Sequence, residues 1–382
     1  MTYSEAHQLF WDKPLFTHSF NKDRSYLAVS PNSNEVHIFK KSGTNWEFVY
    51  NLAEHDKLVT GIDWAPNSNR IVTCSQDRNA YVWSFDGQSW KPELVMLRIN
   101  RAATCVKWSP NETKFAVGTG AKVICICSFS EADNWWGSKH LKKPLKSTIL
   151  CLDWHPDNIL LAAGSTDKKV RVFSAFIKGL DEPTKNAVWG EKLPFEKLCG
   201  EFGTESTGWI HSVAFSPSGN QIAFTGHDST FTVVSPGQSV NSTVKGSMLP
   251  LTSVMFVSEN QAIGKLDRPF RKLIFIGVGH DCRPYLFSFT GSQWQLTHNL
   301  DEGKKKSFGG NSAMDKFRQM DSRNQQAGTD TELSTVHQNT ITCVRAFAGN
   351  PSQVTKISTS GIDGRIVLWD LLAAGVSGMS LR

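Results

Sequence analysis

His55, Ser75 and Asp77 bring together the side-chain types of a nucleophilic triad: a hydroxyl to attack, an imidazole to take its proton and a carboxylate to orient the imidazole. The same set returns at His337, Ser360 and Asp363. Catalytic machinery is rarely built twice in one chain, and a structural account fits the repetition better. A histidine before a unit's first strand, a turn aspartate, a strand serine or threonine and a terminal tryptophan can form a buried hydrogen-bonded network, as buried polar groups require. Trp83 would close the first such tetrad and Trp369 the second. "GHD" at 226–228 and at 279–281 reads as the same turn, with its histidine moved beside the aspartate. Cys125 and Cys127 share a strand face, but an isolated C-x-C with no matching Cys or His pair does not make a zinc site. "GVGHDC" from Gly277 runs into an aspartate turn and is not a phosphate loop, and no H-E-x-x-H or EF-hand pattern occurs. The chain therefore reads as a non-enzyme, with no catalytic residues, no cofactor and no metal.

The elements that position these residues recur. An aromatic is followed 13 residues later by an aspartate and 6 residues after that by an apolar residue closing a strand, as in Trp64–Asp77–Trp83, Trp154–Asp167–Phe173 and Phe215–Asp228–Val234. Asp281–Phe287 and Asp363–Trp369 repeat the second spacing. The steps from Phe20 to Trp64 and from Trp64 to Trp108 are both 44 residues. A period near 40–45 residues with four strand-like runs is the signature of propeller blades, which stack radially because no blade can bury its faces alone. Runs such as "RIVTCS", "AYVWSF" and "LLAAGS", bounded by Pro-Asn, Pro-Asp and Ser-Gly turns, read as antiparallel strands. The expected fold is all-β: one seven-bladed propeller of the WD-repeat type spanning 1–382. Its last blade is short of an outer strand, which we place near His7–Trp11 so that the two chain ends join and no sheet edge is left open.

Composition narrows the function. The opening "MTYSEAHQLFWDK" has no apolar signal core, and no run approaches the ~20 apolar residues of a membrane span. Eight cysteines are scattered through strand-like runs, as small buried hydrophobes are in a reducing compartment. A cytoplasmic protein is expected. The net charge of +6 is short of a nucleic-acid binder but permits local basic surfaces for an acidic partner. Lys139–Lys146 with Lys142 and Lys143, Lys168–Lys169 with Arg171, and Lys304, Lys305 and Lys306 are the candidates.

Interruptions of the array carry more information than its repeats. Between Phe173 and Phe215 about 15 residues are added, including "DEPTKNAVWGEKLPFEK", where Trp189 either contacts a partner or tucks against a blade edge. A smaller insertion, "GKLDRP", lengthens a hairpin in the sixth copy. The largest, 297–339, is polar and mobile in composition and holds one short helical segment near 313–323. On that helix Ala313, Met314, Phe317 and Met320 form one stripe about 120° wide, opposite Asp315, Lys316, Gln319 and Arg323. The helix either packs on its own propeller or projects into a hydrophobic groove of a partner, with an acidic partner face suited to the five basic groups of Gly303–Arg318.

The phrases "FSAFIKG", "WGEKLPFEKL", "GWIHSVAFSPSG", "GHDSTFTV", "GVGHDCRPYLFSF" and "STSGIDGRIVLWDL" resemble the WD-repeat subunits of the actin-related protein 2/3 complex. The similarity runs from "HQLFWDKPLFTHSFNKDRSYLAVSPNSNEVHIF" to the last blade, although among the repeat ends only Trp369–Asp370 keeps the literal WD dipeptide. The resemblance implies a non-catalytic scaffold in an assembly that nucleates branched actin filaments. Its other implied partners are actin filaments, met by the projecting helix through Met314, Phe317, Arg318 and Met320, and the acidic tails of nucleation-promoting factors. The competing readings are a generic WD-repeat adaptor, such as a ubiquitin-ligase or trafficking receptor, and a hydrolase in the propeller mouth.

Overall fold

A computed structural model describes residues 3–10, 12–183, 188–203, 208–237, 242–261, 271–290, 293–301 and 333–372. Among the described residues every regular element is a β-strand. Among these residues the ladders form seven antiparallel four-stranded sets, each running up and down from an inner to an outer strand. Blade two shows the pattern: Val59–Trp64, Ile71–Ser75, Ala80–Phe85 and Trp90–Val95 pair in sequence order through Val59↔Ser75, Ile71↔Trp83 and Ala80↔Val95. The inner strands are Thr17–Phe20, Val59–Trp64, Ala103–Trp108, Ile149–Trp154, Ile210–Phe215, Leu251–Gln261 and Ile341–Asn350. Each touches the next, and Ile341–Asn350 touches Thr17–Phe20, so the row closes on itself. This is a β-propeller.

Burial explains the hydrophobic pattern. Second strands such as Lys114–Thr119 and Leu160–Ser165 are buried at every position, because neighbouring blades cover both of their faces. They therefore read as continuous apolar runs rather than alternating ones. The outer strand Trp90–Val95 is exposed over most of its length and tolerates Lys91, Pro92 and Glu93.

Ring closure falls about four residues earlier than the sequence reading placed it. Tyr3–Gln8, not His7–Trp11, pairs with Arg365–Asp370, from Tyr3↔Trp369 to Gln8↔Arg365. The register ends there because the partner strand begins at Arg365, straight after the 361–364 turn. Gln8 seals that corner by donating to the Asp363 carbonyl at 2.7 Å and accepting from Arg365 Nε at 2.6 Å. The next amides, Leu9 and Phe10, donate to Gly364 O, and a Cβ at Gly364 would collide with the Phe10 carbonyl. With φ at +72°, glycine is required here on both counts.

Inner strands pair with their own blade on one side only, so their other edge needs partners. Side chains supply them. Trp64 N donates to Ser19 Oγ (3.0 Å), Trp108 N to Asp63 (2.8 Å), Phe215 N to Asp153 (2.6 Å), Val254 N to Ser212 Oγ (3.0 Å) and Val344 N to Ser253 Oγ (3.2 Å). Each bond crosses to the preceding blade. A second row runs the other way, with Thr60, Thr104, Thr252 and Thr342 donating to carbonyls of the following blade.

The insertion between the third and fourth strands of blade four, Val170–Ser174 and Leu198–Phe202, is a strap. Trp189 tucks in, buried, with its indole N–H on the Gly219 carbonyl of blade five at 2.8 Å and its ring edge-on to Phe215. The strap's start is held by Lys114 of blade three, a fully buried cation that donates to Ala175 O and pairs with Asp181. Asp181 also accepts from Ile177 N and Asn158. "GKLDRP" lies outside the described residues, between strands that run on to Gln261↔Arg271. The large insertion leaves and rejoins the propeller at one point, since Val336 N donates to Asp301 at 2.6 Å. Lys304, Lys305, Lys306, Met314, Phe317, Arg318 and Met320 lie outside the described residues.

Candidate functional site

The tetrads are assembled in blades two and seven, with one member corrected. In blade two His55 Nδ1 lies 2.7 Å from Asp77 and Nε2 lies 2.9 Å from Thr73 Oγ1, which also accepts the Trp83 indole N–H at 2.9 Å. In blade seven His337 lies 3.1 Å from Asp363 and 2.8 Å from Thr359 Oγ1, and Trp369 donates to the same hydroxyl at 2.8 Å. The bridging hydroxyl is therefore a threonine four residues before the aspartate, not Ser75 or Ser360. Position along the strand decides this in blade two, where Ser75 lies two residues past Thr73 on the same face, and strand alternation decides it in blade seven. Thr73 and Thr359 share a face with the tryptophan across the ladder, whereas Ser75 sits at the turn, donating to Lys57 O and accepting from Asp77 N. Ser360 faces the neighbouring blade and meets His18 Nδ1 at 3.0 Å.

The direction of donation follows from the indole, which can only donate. Trp83 gives to Thr73, Thr73 gives to His55 Nε2, and His55 Nδ1–H gives to the Asp77 carboxylate. Burial lowers the pKa of His55, with the Asp77 charge opposing, so the imidazole is held neutral. Burial pushes Asp363 upward, but hydrogen bonds from His337 and from the amides of Gln338 and Arg365 outweigh it and leave that carboxyl below its ordinary value. His55, Thr73 and Trp83 are buried, which leaves no path for a substrate to a nucleophile. These networks pin turns to a core.

Blade four meets the same need differently. Asp167 has no histidine; Arg171, only 2% exposed, donates to both of its oxygens and through Nε to Glu201 at 2.8 Å. Arg171 is thus removed from the basic surface to which the sequence assigned it. In blades five and six the aspartates sit in the expected turns, but the adjacent histidines turn elsewhere. His227 Nδ1 lies 2.9 Å from His211 Nε2, and His280 meets Thr340 at 3.1 Å. Cys125 and Cys127 are buried thiols of the blade-three core; burial pushes Cys125 up to about 12 and Cys127 up as well. Among the described residues no three His, Cys, Asp or Glu are arranged to hold a metal ion, and no helix is long and apolar enough to cross a membrane.

Basic groups collect in two places. At one end of the ring, the turn between second and third strands is bonded to the loop entering its blade in blades two to seven, as in Gln76 N to Leu58 O, Gly120 N to Ala102 O and Thr166 N to Thr148 O. Lys57, Arg78, Arg101, Lys122, Lys146 and Lys168 are exposed along that rim of blades two to four. Arg78, Lys122 and Lys168 share one left-handed turn position, with φ of 74°, 59° and 68°. The second place is an open cleft of about 520 Å³ at the side of blade three, lined by Arg98, Ser138, Lys139, His140, Lys142 and Glu196. Lys142 and Lys143 are exposed, and the Lys142 amide donates to Glu196.

Sequence reasoning missed Thr73 and Thr359, although an internal comparison held the signal. Threonine four residues before the turn aspartate occurs with a tryptophan six residues after it in blades two and seven, whereas blade four has Ala163 with Phe173 and blade five Phe224 with Val234. It also missed Arg345, which reaches from blade seven to Asp63 of blade two at 2.7 Å, and the buried Lys114.

Fold and tetrads together define a WD-repeat propeller, and the WD domain, G-beta repeat family matches residues 46–84, 138–174, 197–234 and 331–370. The chain is 48% identical to actin-related protein 2/3 complex subunit 1A-A of Xenopus laevis over 374 residues, covering 97% of this chain and 98% of that one. It is 50% identical to subunit 1A-B of the same organism, covering 94% of each, and 43% identical to subunit 1 of Schizosaccharomyces pombe, covering 94% and 97%. The chain belongs to the actin-related protein 2/3 complex subunit 1 family.

Proposed function

We propose that this protein is a non-catalytic scaffold subunit of a cytoplasmic actin-related protein 2/3 complex, supporting nucleation of branched actin filaments at the cytoskeleton. The observation that carries the reading is near-full-length identity to relatives bearing that subunit's name. The fold supports a scaffold, because its histidine–aspartate pairs are committed to holding turns and its threonine hydroxyls are buried. We assign actin contact to Met314, Phe317, Arg318 and Met320 of the large insertion. Entry and exit together at Asp301 and Val336 suit a segment that leaves the ring without disturbing it. Acidic tails of nucleation-promoting factors are assigned to Lys142 and Lys143, to Lys304, Lys305 and Lys306, and to the basic rim of blades two to four, where clustered positive charge accelerates encounter with an acidic segment.

Affinity purification of the protein from cytosol, followed by native mass spectrometry, tests the assembly. Two actin-related proteins and smaller subunits are expected at fixed stoichiometry; adaptor or ligase components in their place would overturn the reading. Phe317→Ala with Met320→Ala, built into the assembly, should lower branch formation on actin filaments while the melting temperature of the isolated chain stays unchanged. A fall in that temperature would mean that the segment packs on its own blades.

A further inference from the structure

Blades two and three are joined at their outer edges. Val95 pairs in parallel with Trp136, Met96 N donates to Trp136 O, and Ser138 Oγ donates to Met96 O at 2.7 Å. The chain from Trp90 onward thus continues alongside Trp135–Leu141 instead of leaving at once for the next inner strand. Val95, Leu97, Trp136 and Ser138 are buried, so alternation sends Leu94, Met96 and Arg98 outward on one strand and Trp135, Gly137 and Lys139 outward on the other. The register makes three rows: Leu94 beside Trp135, Met96 beside Gly137, Arg98 beside Lys139. Leu94, Met96 and Trp135 are 48%, 46% and 55% exposed. One end of the face is apolar; the other is cationic and opens onto the cleft that includes Lys142.

Gly137 is the informative residue. It has no positive φ, and a Cβ there would meet nothing within 4 Å. Neither backbone nor packing demands glycine, which weakens a strand. Its effect is a notch between Trp135 and Lys139, next to Met96.

We propose that this face seats a fellow subunit of the assembly. That subunit's segment lays apolar side chains on Leu94, Met96 and Trp135, fills the notch over Gly137 and directs carboxylates at Arg98 and Lys139. The inference rests on the proposed function, since it presupposes a multi-subunit complex. Contiguous exposed apolar rows mark an interaction surface rather than ordinary solvent-facing surface. Their cationic margin fixes the polarity of what docks there, and the pairing between the two blades keeps the platform rigid before binding. A notch one side chain wide suits a polypeptide better than a lipid surface, which offers no matching projection.

The test co-expresses the full chain with the other subunits and measures recovered assembly. Gly137→Trp fills the notch, Lys139→Glu reverses the charge, and Leu296→Trp, at a comparably exposed outer-strand site of blade six, is the control. Expected are a wild-type melting temperature for each isolated variant, at least a tenfold loss of assembly for the first two, and wild-type recovery for the control. If Gly137→Trp melts low, Lys139→Glu decides. Wild-type recovery for both overturns the inference, even where a variant has lost binding to an acidic peptide or to anionic vesicles. The proposed function survives that result. A wild-type chain that recruits no other subunit ends both.

Discussion

Blades two and four bury the same aspartate at the same place in the repeat and satisfy it with different chemistry. In blade two, Asp77 is met by neutral His55, and the bonds continue inward through Thr73 to Trp83. In blade four, Asp167 is met by Arg171, whose remaining bond runs outward to Glu201 on the outer strand. In both blades an amide of the loop before the inner strand, Asp56 or Lys146, reaches the aspartate, but the histidine version also ties the turn to the blade's interior. The arginine version ties third strand to fourth. What the repeat demands is a partner for a buried carboxylate; which strands that partner joins is free to vary. Trp83, Thr73 and His55 occur together because each supplies a donor or acceptor the next requires, and blade four, with Phe173 and Ala163, has no such chain to complete.

This contrast predicts unequal costs when the carboxylate is removed. Asp167→Ala leaves a buried guanidinium with only Glu201, which is 37% exposed. Stranding a buried charge costs 3–5 kcal/mol in general, and the surviving partner puts this case at about 3 kcal/mol. Asp77→Ala leaves a neutral imidazole short of one acceptor, a loss of ~1–3 kcal/mol. Chemical denaturation of the two variants checks the order, and a smaller cost in blade four would mean that Arg171 finds water.

The two devices also respond differently to pH. Burial depresses His55 below its ordinary 6.5, so below that pH the unfolded chain binds more protons than the folded one at this site. Stability is therefore retained above about 6.5 and lost as pH falls toward the depressed folded value. His55→Ala should itself cost ~1–3 kcal/mol at neutral pH and flatten the stability profile between pH 7 and 5 by at most ~1.4 kcal/mol per pH unit. It will not abolish the slope, because His18 and His211 are also lowered, each chiefly by burial. A guanidinium does not titrate in this range, so Arg171→Met combined with Asp167→Asn, which strands neither charge, should leave the slope as in wild type. Equal slopes for His55→Ala and wild type would show that folding leaves the titration of His55 unshifted, and a steeper slope in the variant would show that His55 is protonated in the fold.

Much of this was legible in the chain. The 13-and-6 spacing identified the blades, and the paired occurrence of His55 with Asp77 and His337 with Asp363 identified the networks. Ser75 and Ser360 are nearer the turn in sequence, but Ser75 is spent on the turn itself, two residues past Thr73 on the same face, and alternation turns Ser360 away from the face that Thr359 shares with the tryptophan. Arg171 looked like surface charge because a basic run gives no sign of which member points inward; only the partnership with Asp167 and Glu201 decides it. Contacts between blades, such as Asp63 with Arg345 and Lys114 with Asp181, join residues 282 and 67 positions apart, and no local pattern announces them.

The smallest stability effect should come from the residue next to each aspartate. Arg78 follows Asp77 and Lys168 follows Asp167, both exposed and in the same left-handed turn conformation. One turn position faces the core and the next faces solvent, so pinning and surface charge are separable by a single step along the chain. Reversal to glutamate at both positions should change unfolding free energy by no more than about 0.5 kcal/mol, as surface substitutions do. The reversal removes two positive charges from the rim and adds two negative ones, which should weaken capture of an acidic peptide and flatten its dependence on salt, because screening acts on what charge attraction remains. Titrating a labelled acidic peptide at low and high ionic strength reads both. Unchanged binding at both would move the acidic-partner site off this rim and onto Lys142 and Lys143 or the large insertion, while a large stability loss would mean that the turn cannot separate its two neighbouring residues after all.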